Sequence, residues 1–434
     1  MKQLTKKIND LIPGGAHTYS KGHDQFPDNA PALIQRGSGA WVYDENGDRY
    51  LDCAMGLTSV SLGHGDKEVA EAVYQAALDG TNYSKPAMLE LIAAEFFLKN
   101  VAPHHDMVKF TKNGSTATTA AIKLARAATG REKVLVPEQF PFFSYDDWFI
   151  AGTASNHGTQ LEARKQILKF EYGNIHNLEH ILRDRGHEIA ALIMEPVKYH
   201  LPPEGYLSLV KNLCSKHGVI FVLDEMWCGA KLALGGGQEY FNVTADLATW
   251  GKGIANGFSC CALTGTRELM ELGGLKNKGE KKVFLVSTTH GAESTGLAAM
   301  MKTISILKGS TILDDNRNVG SLFYEKIKML INDFHLEKYL EIQGDMKVVQ
   351  TLKITGCQKY RQDELSTYIF REMHSQGVLY NGLFYFMAAH RKKELDHLIR
   401  ACQEVFRNFS KILEKGEPLP FHDDTVKPVF RAIV

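Results

Sequence analysis

Five apolar residues, Val219-Ile-Phe-Val-Leu223, run without a break into two carboxylates, Asp224-Glu225. A strand with one wet face alternates polar and apolar residues. An unbroken run suits a parallel strand covered on both faces. Short runs at 107–111, 133–136, 190–194 and 247–250 are spaced by helical patterns around 67–79, 86–99, 117–129, 176–185, 205–217 and 292–308. Such alternation predicts an α/β chain built on a mainly parallel sheet. Ahead of it, Gly39–Asp52 reads as a hairpin whose two short strands flank an Asn46-Gly47 turn, the dipeptide suited to positive φ at both central positions. From about 311 onward, helices and short strands predict a smaller α+β domain. The expected organisation is an N-terminal segment (1–65) packing with the small domain, a large domain (66–310) and the small domain itself (311–434).

Charge narrows the function classes. Lys+Arg and Asp+Glu each number 50, so no net field favours nucleic acid or an anionic membrane. No window of about 20 apolar residues is present, so no membrane span is expected. The opening MKQLTKKINDLIPGG lacks the apolar core of about 7–15 residues that marks a secretory signal. The seven cysteines (53, 214, 228, 260, 261, 357, 402) have neither a pairing framework nor metal-ligand spacing. A cytoplasmic protein with free thiols and no metal site is expected.

Four segments are candidates for chemistry. Lys112-Asn-Gly-Ser-Thr-Ala117 lies between a strand and a helix. The free amides of a helix start attract an anion, and an ordinary N-cap reads the same way. Asp224-Glu225 ends a buried strand, where open α/β sheets bind ligands; a capping or surface pair is the bland alternative. An ionised carboxylate buried there needs a cation. Trp250-Gly-Lys-Gly-Ile-Ala-Asn-Gly257 puts Lys252 between glycines in a tight loop. A desolvated lysine becomes a nucleophile for carbonyls, although most lysines are solvated. Ser287-Thr-Thr-His-Gly-Ala-Glu293 precedes a helix and reads as a second phosphate cap or a plain capping segment. The histidines 64, 104, 105, 290 and 390 carry no assigned role, since a lone histidine is more often structural.

The order and spacing of these segments resemble the class III (subgroup II) aminotransferases, enzymes of the type I pyridoxal 5′-phosphate (PLP) fold. Within them the chain is most similar to the glutamate-1-semialdehyde aminomutase branch. Pro13-Gly-Gly15, the Gly39–Asp52 hairpin, Gly56, Gly63-His64-Gly65, Asn113-Gly-Ser115, Glu195-Pro196, Asp224-Glu225-Met226 and Ala245-Asp-Leu-Ala-Thr-Trp-Gly-Lys-Gly carry the resemblance. It implies an α/β large domain with a mainly parallel seven-stranded sheet, plus a smaller α+β domain. It also implies PLP as cofactor and a homodimer with the active site at the subunit interface.

The resemblance assigns roles as well. Lys252 would hold PLP as a Schiff base and then move the proton between substrate and cofactor. Asp224 would pair with the pyridinium nitrogen. Asn113, Gly114 and Ser115 would form the phosphate loop, and Thr288 would reach the same phosphate from the partner subunit. Phe142 would stack on the ring, Met226 would pack on its other face, and Glu195 would stand beside it, with Tyr19 and Tyr145 as further pocket candidates. Departures cluster around the substrate: Phe142-Phe143-Ser144 for Tyr-His-Gly, Thr116 for Glu, Cys228-Gly-Ala-Lys231 for Thr-Gly-Phe-Arg, His290-Gly-Ala-Glu293 for Ser-Gly-Asn-Pro, and Lys21 near an Arg. The expected activity is amino transfer from a donor such as glutamate to a small ketone, aldehyde or sugar-derived acceptor. Intramolecular aminomutase chemistry and a catalytically altered PLP-fold binding protein are the alternatives.

Overall fold

Asp44 shapes the first turn of the chain. In the computed structural model, which describes residues 2–140, 142–419, 421 and 425–427, its Oδ1 accepts the N–H groups of Asn46 and Asp48 at 2.9 Å each. Strands β1 (Ile34–Ser38), β2 (Trp41–Asp44) and β3 (Arg49–Asp52) form an antiparallel meander with Trp41 opposite Leu51. The hairpin is present, but its loop is four residues long, 45–48, closed by the Asp44 N–H donating to the Asp48 carbonyl at 2.9 Å. Only Gly47 takes positive φ, 88°. The Asp44 carboxylate satisfies the amides that a two-residue turn would have left to the strands, so the wider loop wins.

Asp52 performs a related task after β3. Its Oδ1 accepts the amides of Ala54 and Met55, and its Oδ2 meets His64 Nε2 at 3.0 Å. The following turn, Met55–Thr58, is left-handed throughout, with φ of 45°, 61°, 59° and 66°. Left-handed φ costs a non-glycine residue on the order of 1–2 kcal/mol, and the Asp52 anchor helps offset it.

The central sheet follows. Strands β4 (Met107–Thr111), β5 (Lys133–Pro137), β6 (Ile167–Phe170), β7 (Ile189–Met194), β8 (Ile220–Asp224), β9 (Leu247–Trp250) and β10 (Cys261–Gly265) lie in the order β4-β10-β9-β8-β7-β5-β6. The expected seven-stranded, mainly parallel sheet is therefore present. Strands β5 to β9 are mutually parallel, while β10 is antiparallel to both of its neighbours. Two reversals cancel, so β4 runs in the same direction as β9. The C-terminal ends of β4, β5, β7, β8 and β9 all open on one edge. Every residue of β7, β9 and β10 is buried, as double-sided coverage requires.

Helix Gly114–Thr129 packs across β7, β9 and β10, burying Ala117, Ala120, Ala121, Leu124 and Ala125. It begins three residues before the expected Ala117, because Asn113 Oδ1 caps the Thr116 N–H at 2.9 Å. Gly130, φ 70°, ends it. Helix Met88–Asn100 contributes Phe97, whose ring meets Phe110 of β4 and Trp250 of β9 edge-on, with centroids at 6.0 and 5.8 Å. His105 is structural: its ring nitrogens reach Thr264 Oγ1 at 2.7 Å and the Ala245 carbonyl at 3.0 Å.

Beyond helix Ile312–Asp333 come β11 (Leu340–Gln343), β12 (Val349–Ile354), helix Gln362–Ser375, β13 (Val378–Leu379), β14 (Phe384–Tyr385) and helix Lys392–Lys415. Strands β11, β12 and β14 form an antiparallel sheet, and β13 joins β3 in parallel, Val378 opposite Leu51. Helix Lys392–Lys415 buries Leu395, Leu398, Cys402, Val405, Phe406 and Phe409 along one face, the helical stripe a core-facing segment needs. The chain divides into two compact units. One comprises residues 2–58, 62–66 and the described residues from Thr311 to Lys427; the other comprises 59–61 and 67–310. The first unit holds a cavity of about 1110 Å³ lined in part by Lys21, His64, Asp52 and Asn381. No helix among the described residues is long and apolar enough to cross a membrane.

Phe97 is fully buried, so Phe97→Ala is expected to lower the unfolding free energy by about 3–5 kcal/mol, read from denaturant midpoints.

Candidate active site

Parallel pairing of β8 with β9 sets Asp224 opposite Thr249. Thr249 Oγ1 and the Met226 N–H both donate to Asp224 Oδ1, at 3.1 and 3.0 Å. Oδ2 takes no hydrogen bond among the described residues. Asp224 is only 2% exposed. Burial, followed by the nearby Glu195 carboxylate, pushes its pKa up to about 7. The neighbouring Glu225 points elsewhere and accepts the Gly237 and Gln238 amides at 2.8 and 2.9 Å. One acid of the pair is structural and the other is left seeking a cation.

Lys252 lies two residues past β9, at φ 49°. Its Nζ makes no hydrogen bond or ion pair among the described residues and stands 5.1 Å from the Trp227 ring centre. Burial and then Lys198 lower its pKa, against the pull of Glu195 and Asp224. The flanking glycines are required by contact. A Cβ on Gly251 would sit 2.4 Å from Cys261 Sγ and 2.6 Å from Met226 Sδ, and one on Gly253 would sit 2.5 Å from Ser61 Oγ.

Met226 ties the lysine loop to the anion-binding helix start. A Cβ on Gly114 would lie 3.2 Å from the Met226 sulfur. The Gly114 and Ser115 amides open helix Gly114–Thr129 and have no acceptor among the described residues. Ser115 Oγ accepts the Tyr145 N–H at 3.2 Å. Asn113 commits its carbonyl oxygen to the cap, on the N–H and hydroxyl of Thr116.

Glu195 follows β7 and is buried, with Lys198 Nζ at 2.9 and 3.2 Å from its two oxygens. Lys198 Nζ also lies 4.0 Å over the Trp227 ring. The structure thus gathers Gly114, Ser115, Glu195, Asp224, Met226 and Lys252 at the strand-end edge. Phe142 is 46% exposed, with its ring edge-on to Phe149 at 6.0 Å, while Phe143 fills the core. Thr288 is exposed. The segment 287–293 places no side-chain cap on helix Ser294–Lys308, and Glu293 pairs instead with Lys112 Nζ at 2.9 Å. A lysine within reach outcompetes the amides for that carboxylate. Lys198, Trp227 and Lys231 were not picked out as site residues from the sequence. Lys231 is buried, donates to the Met226 carbonyl at 3.1 Å, and is pushed down to about 7 by burial and then by Lys252.

The family described as aminotransferase class-III matches residues 22–390. The chain belongs to the class-III aminotransferases. A glutamate-1-semialdehyde 2,1-aminomutase of Methanothermobacter thermautotrophicus is 28% identical over 93% of this chain and 98% of its own length. One from Hyperthermus butylicus is 31% identical over 79% of this chain and 82% of its own. Among solved structures, an omega-transaminase from Sphaerobacter thermophilus superposes with a TM-score of 0.83 at 19% identity, covering 94% of this chain and 97% of that one. A glutamate-1-semialdehyde aminomutase from Pseudomonas aeruginosa PAO1 gives 0.78 at 20%, covering 93% of each chain.

This class-III aminotransferase chain is a PLP-dependent transaminase or aminomutase. Its residues fit that cofactor. A carboxylate on a residue only 2% exposed, with one oxygen taking no hydrogen bond among the described residues, suits a protonated ring nitrogen. Two free amides at a helix start suit a phosphate, an unpaired amine suits an aldehyde, and both glycine loops leave room where a Cβ would intrude.

Two outcomes test this geometry. Gly251→Ala is expected to lose bound cofactor, measured as absorbance per chain after purification. Asp224 has a folded pKa raised above its unfolded value, so in the cofactor-free chain stability is held at low pH and lost as pH rises toward about 7. Asp224→Asn should match the unmodified chain only below about pH 4, and its advantage in urea midpoint should grow from there to about pH 7 and stay constant above it.

Proposed function

We propose that this chain is an aminotransferase that takes an amino group from an amino-acid donor, glutamate being the expected one, and passes it to a small ketone, aldehyde or sugar-derived acceptor. The observation that carries this reading is the pair of unsatisfied, buried or half-buried groups at adjacent strand ends, Asp224 Oδ2 and Lys252 Nζ.

Bound PLP supplies an electron sink for the pair of electrons left on the donor Cα when its proton departs. Lys252 would hold the cofactor through its Nζ. Released from it by the donor amine, the same Nζ would serve as the base that accepts a proton from the donor Cα and the acid that returns one. That relay needs an amine without a resident proton, which burial and the neighbouring Lys198 favour. Asp224 Oδ2 keeps the ring nitrogen protonated. Gly114 and Ser115 amides, aided by the helix dipole, hold the phosphate, with Asn113 ordering the cap. Met226 and Phe142 would pack against the ring of the bound cofactor, with Glu195 beside it.

The acceptor class is supported by the departures around the site. Cys228, Gly229, Ala230 and Lys231 are all buried, and Lys231 is turned onto the Met226 carbonyl rather than presented as a free cation for a carboxylate. The names of the relatives favour a second reading, intramolecular amino transfer on glutamate-1-semialdehyde. Product formed with no added donor would support that reading against ours. A second copy of the chain is supported by the exposed apolar side chains of Tyr74 and Leu78 on helix Lys67–Asp79 and of Met88, Leu91 and Ile92 on helix Met88–Asn100, and in the dimer Thr288 of each copy would serve the other's phosphate.

Mixing the holo-protein with candidate amino donors should convert the visible cofactor band, and Lys252→Ala should abolish both that conversion and borohydride-stable attachment. A wild-type chain without an adduct at Lys252 would sink the proposal. For the dimer, Lys252→Ala and Thr288→Ala chains refolded together should regain cofactor retention that neither shows alone. A lack of recovery would place Thr288 in its own subunit's site.

A further inference from the structure

We propose that Lys198 is a positioning residue that sets the charge state of Lys252, as a second cation clamped beside it by Glu195 and Trp227. The proposal rests on the reading of Lys252 as the reacting amine.

An ammonium group has three hydrogens to donate. Two of those of Lys198 go to the two oxygens of Glu195, at 3.2 and 2.9 Å, and Nζ sits 4.0 Å from the centre of the Trp227 ring. Its hydrogen-bonding is thus directed mainly at Glu195 in this half-buried position. Lys198 is also held in its charged form: burial works against the proton, but Glu195 and Tyr199 together outweigh it and the pKa is raised. The ring face adds cation–π attraction.

Lys252 Nζ stands over the same indole, 5.1 Å from its centre. Two like charges around one ring in a poorly hydrated pocket repel, and Lys198 is the one already committed to a proton. The clamp acts in a second way. With both oxygens bound to Lys198, Glu195 makes no hydrogen bond to Lys252 among the described residues, and its pull on that amine is electrostatic only. The ionisable groups around Lys252 are Lys198, Glu195, Asp224, Cys261 and Lys231. The Cys261 thiol is pushed up to about 12 and is neutral, and Lys231, at about 7, surrenders its proton more readily than Lys198. Lys198 is therefore the lasting positive charge of the group.

The test uses the full-length, cofactor-free chain, pulse-labelled with acetic anhydride across a pH series, with the Lys252 peptide quantified by mass spectrometry. Lys198→Met removes the repulsion and frees Glu195, so the Lys252 midpoint should rise by about one unit or more, roughly a tenfold loss of neutral amine at a given pH. Lys198→Gln keeps hydrogen bonds to Glu195 should the methionine variant fail to fold, and should shift in the same direction. Lys198→Arg should keep the original midpoint. An unchanged midpoint in a folded neutral variant overturns the proposal. So does a wild-type chain in which Lys198 labels at lower pH than Lys252. Absence of a borohydride-stable adduct at Lys252 would instead remove the functional reading, leaving the labelling result to stand by itself.

Discussion

Desolvation of two ionisable groups that lack partners governs this structure. Asp224 is buried and Lys252 half-buried, and among the described residues no counter-charge is hydrogen-bonded to Asp224 Oδ2 or Lys252 Nζ. Each unpaired polar group costs on the order of 1–3 kcal/mol, and a fixed charge would cost more. The protein limits that penalty by disfavouring the charges themselves. Burial moves the carboxylate up and the amine down, so both approach neutrality until a ligand supplies what each lacks. The same shifts that spare the fold leave a nucleophilic amine and a carboxylate ready for a cation.

Topology makes the arrangement possible. If β10 were parallel, β4 would run against β9, and the helix that opens with Gly114 would start at the far edge of the sheet. Inserting one antiparallel strand between them brings the end of β4 beside the ends of β8 and β9. The small residues of that junction complete the fit. Gly114 and Gly251 both press against Met226, so one flexible thioether spans the space between the phosphate-type cap and the lysine loop.

Electrostatic neighbours were the least legible part of the site. Asp224 and Lys252 stand out in sequence through strand-end position and flanking glycines. Lys198 is only a lysine three residues after Glu195, and Trp227 only an aromatic after Asp224-Glu225-Met226. Their relation to Lys252 joins three separate strand ends, and no local spacing encodes it. Similarly, Ser287–Glu293 has capping composition, yet Glu293 finds Lys112, distant in sequence. A local pattern identifies what a side chain is able to do, whereas its neighbours in space select which of those things it does.

The sequence by itself determined the buried parallel strands, the helices between them and the mainly parallel α/β class, because apolar runs and helical periodicity act over a few residues and must be satisfied wherever they occur; the count of seven strands came only with the family resemblance. It also marked Asp224 and Lys252 as costly to bury without purpose. Only the tertiary structure decided that the Asp44 carboxylate would widen the hairpin loop, that Asn113 would draw the helix start back to Gly114, and that Glu195 would be spent on Lys198 instead of Lys252. Each of those outcomes is a competition between hydrogen-bond partners of similar strength. Distance settles it, and distance exists only once the chain has folded.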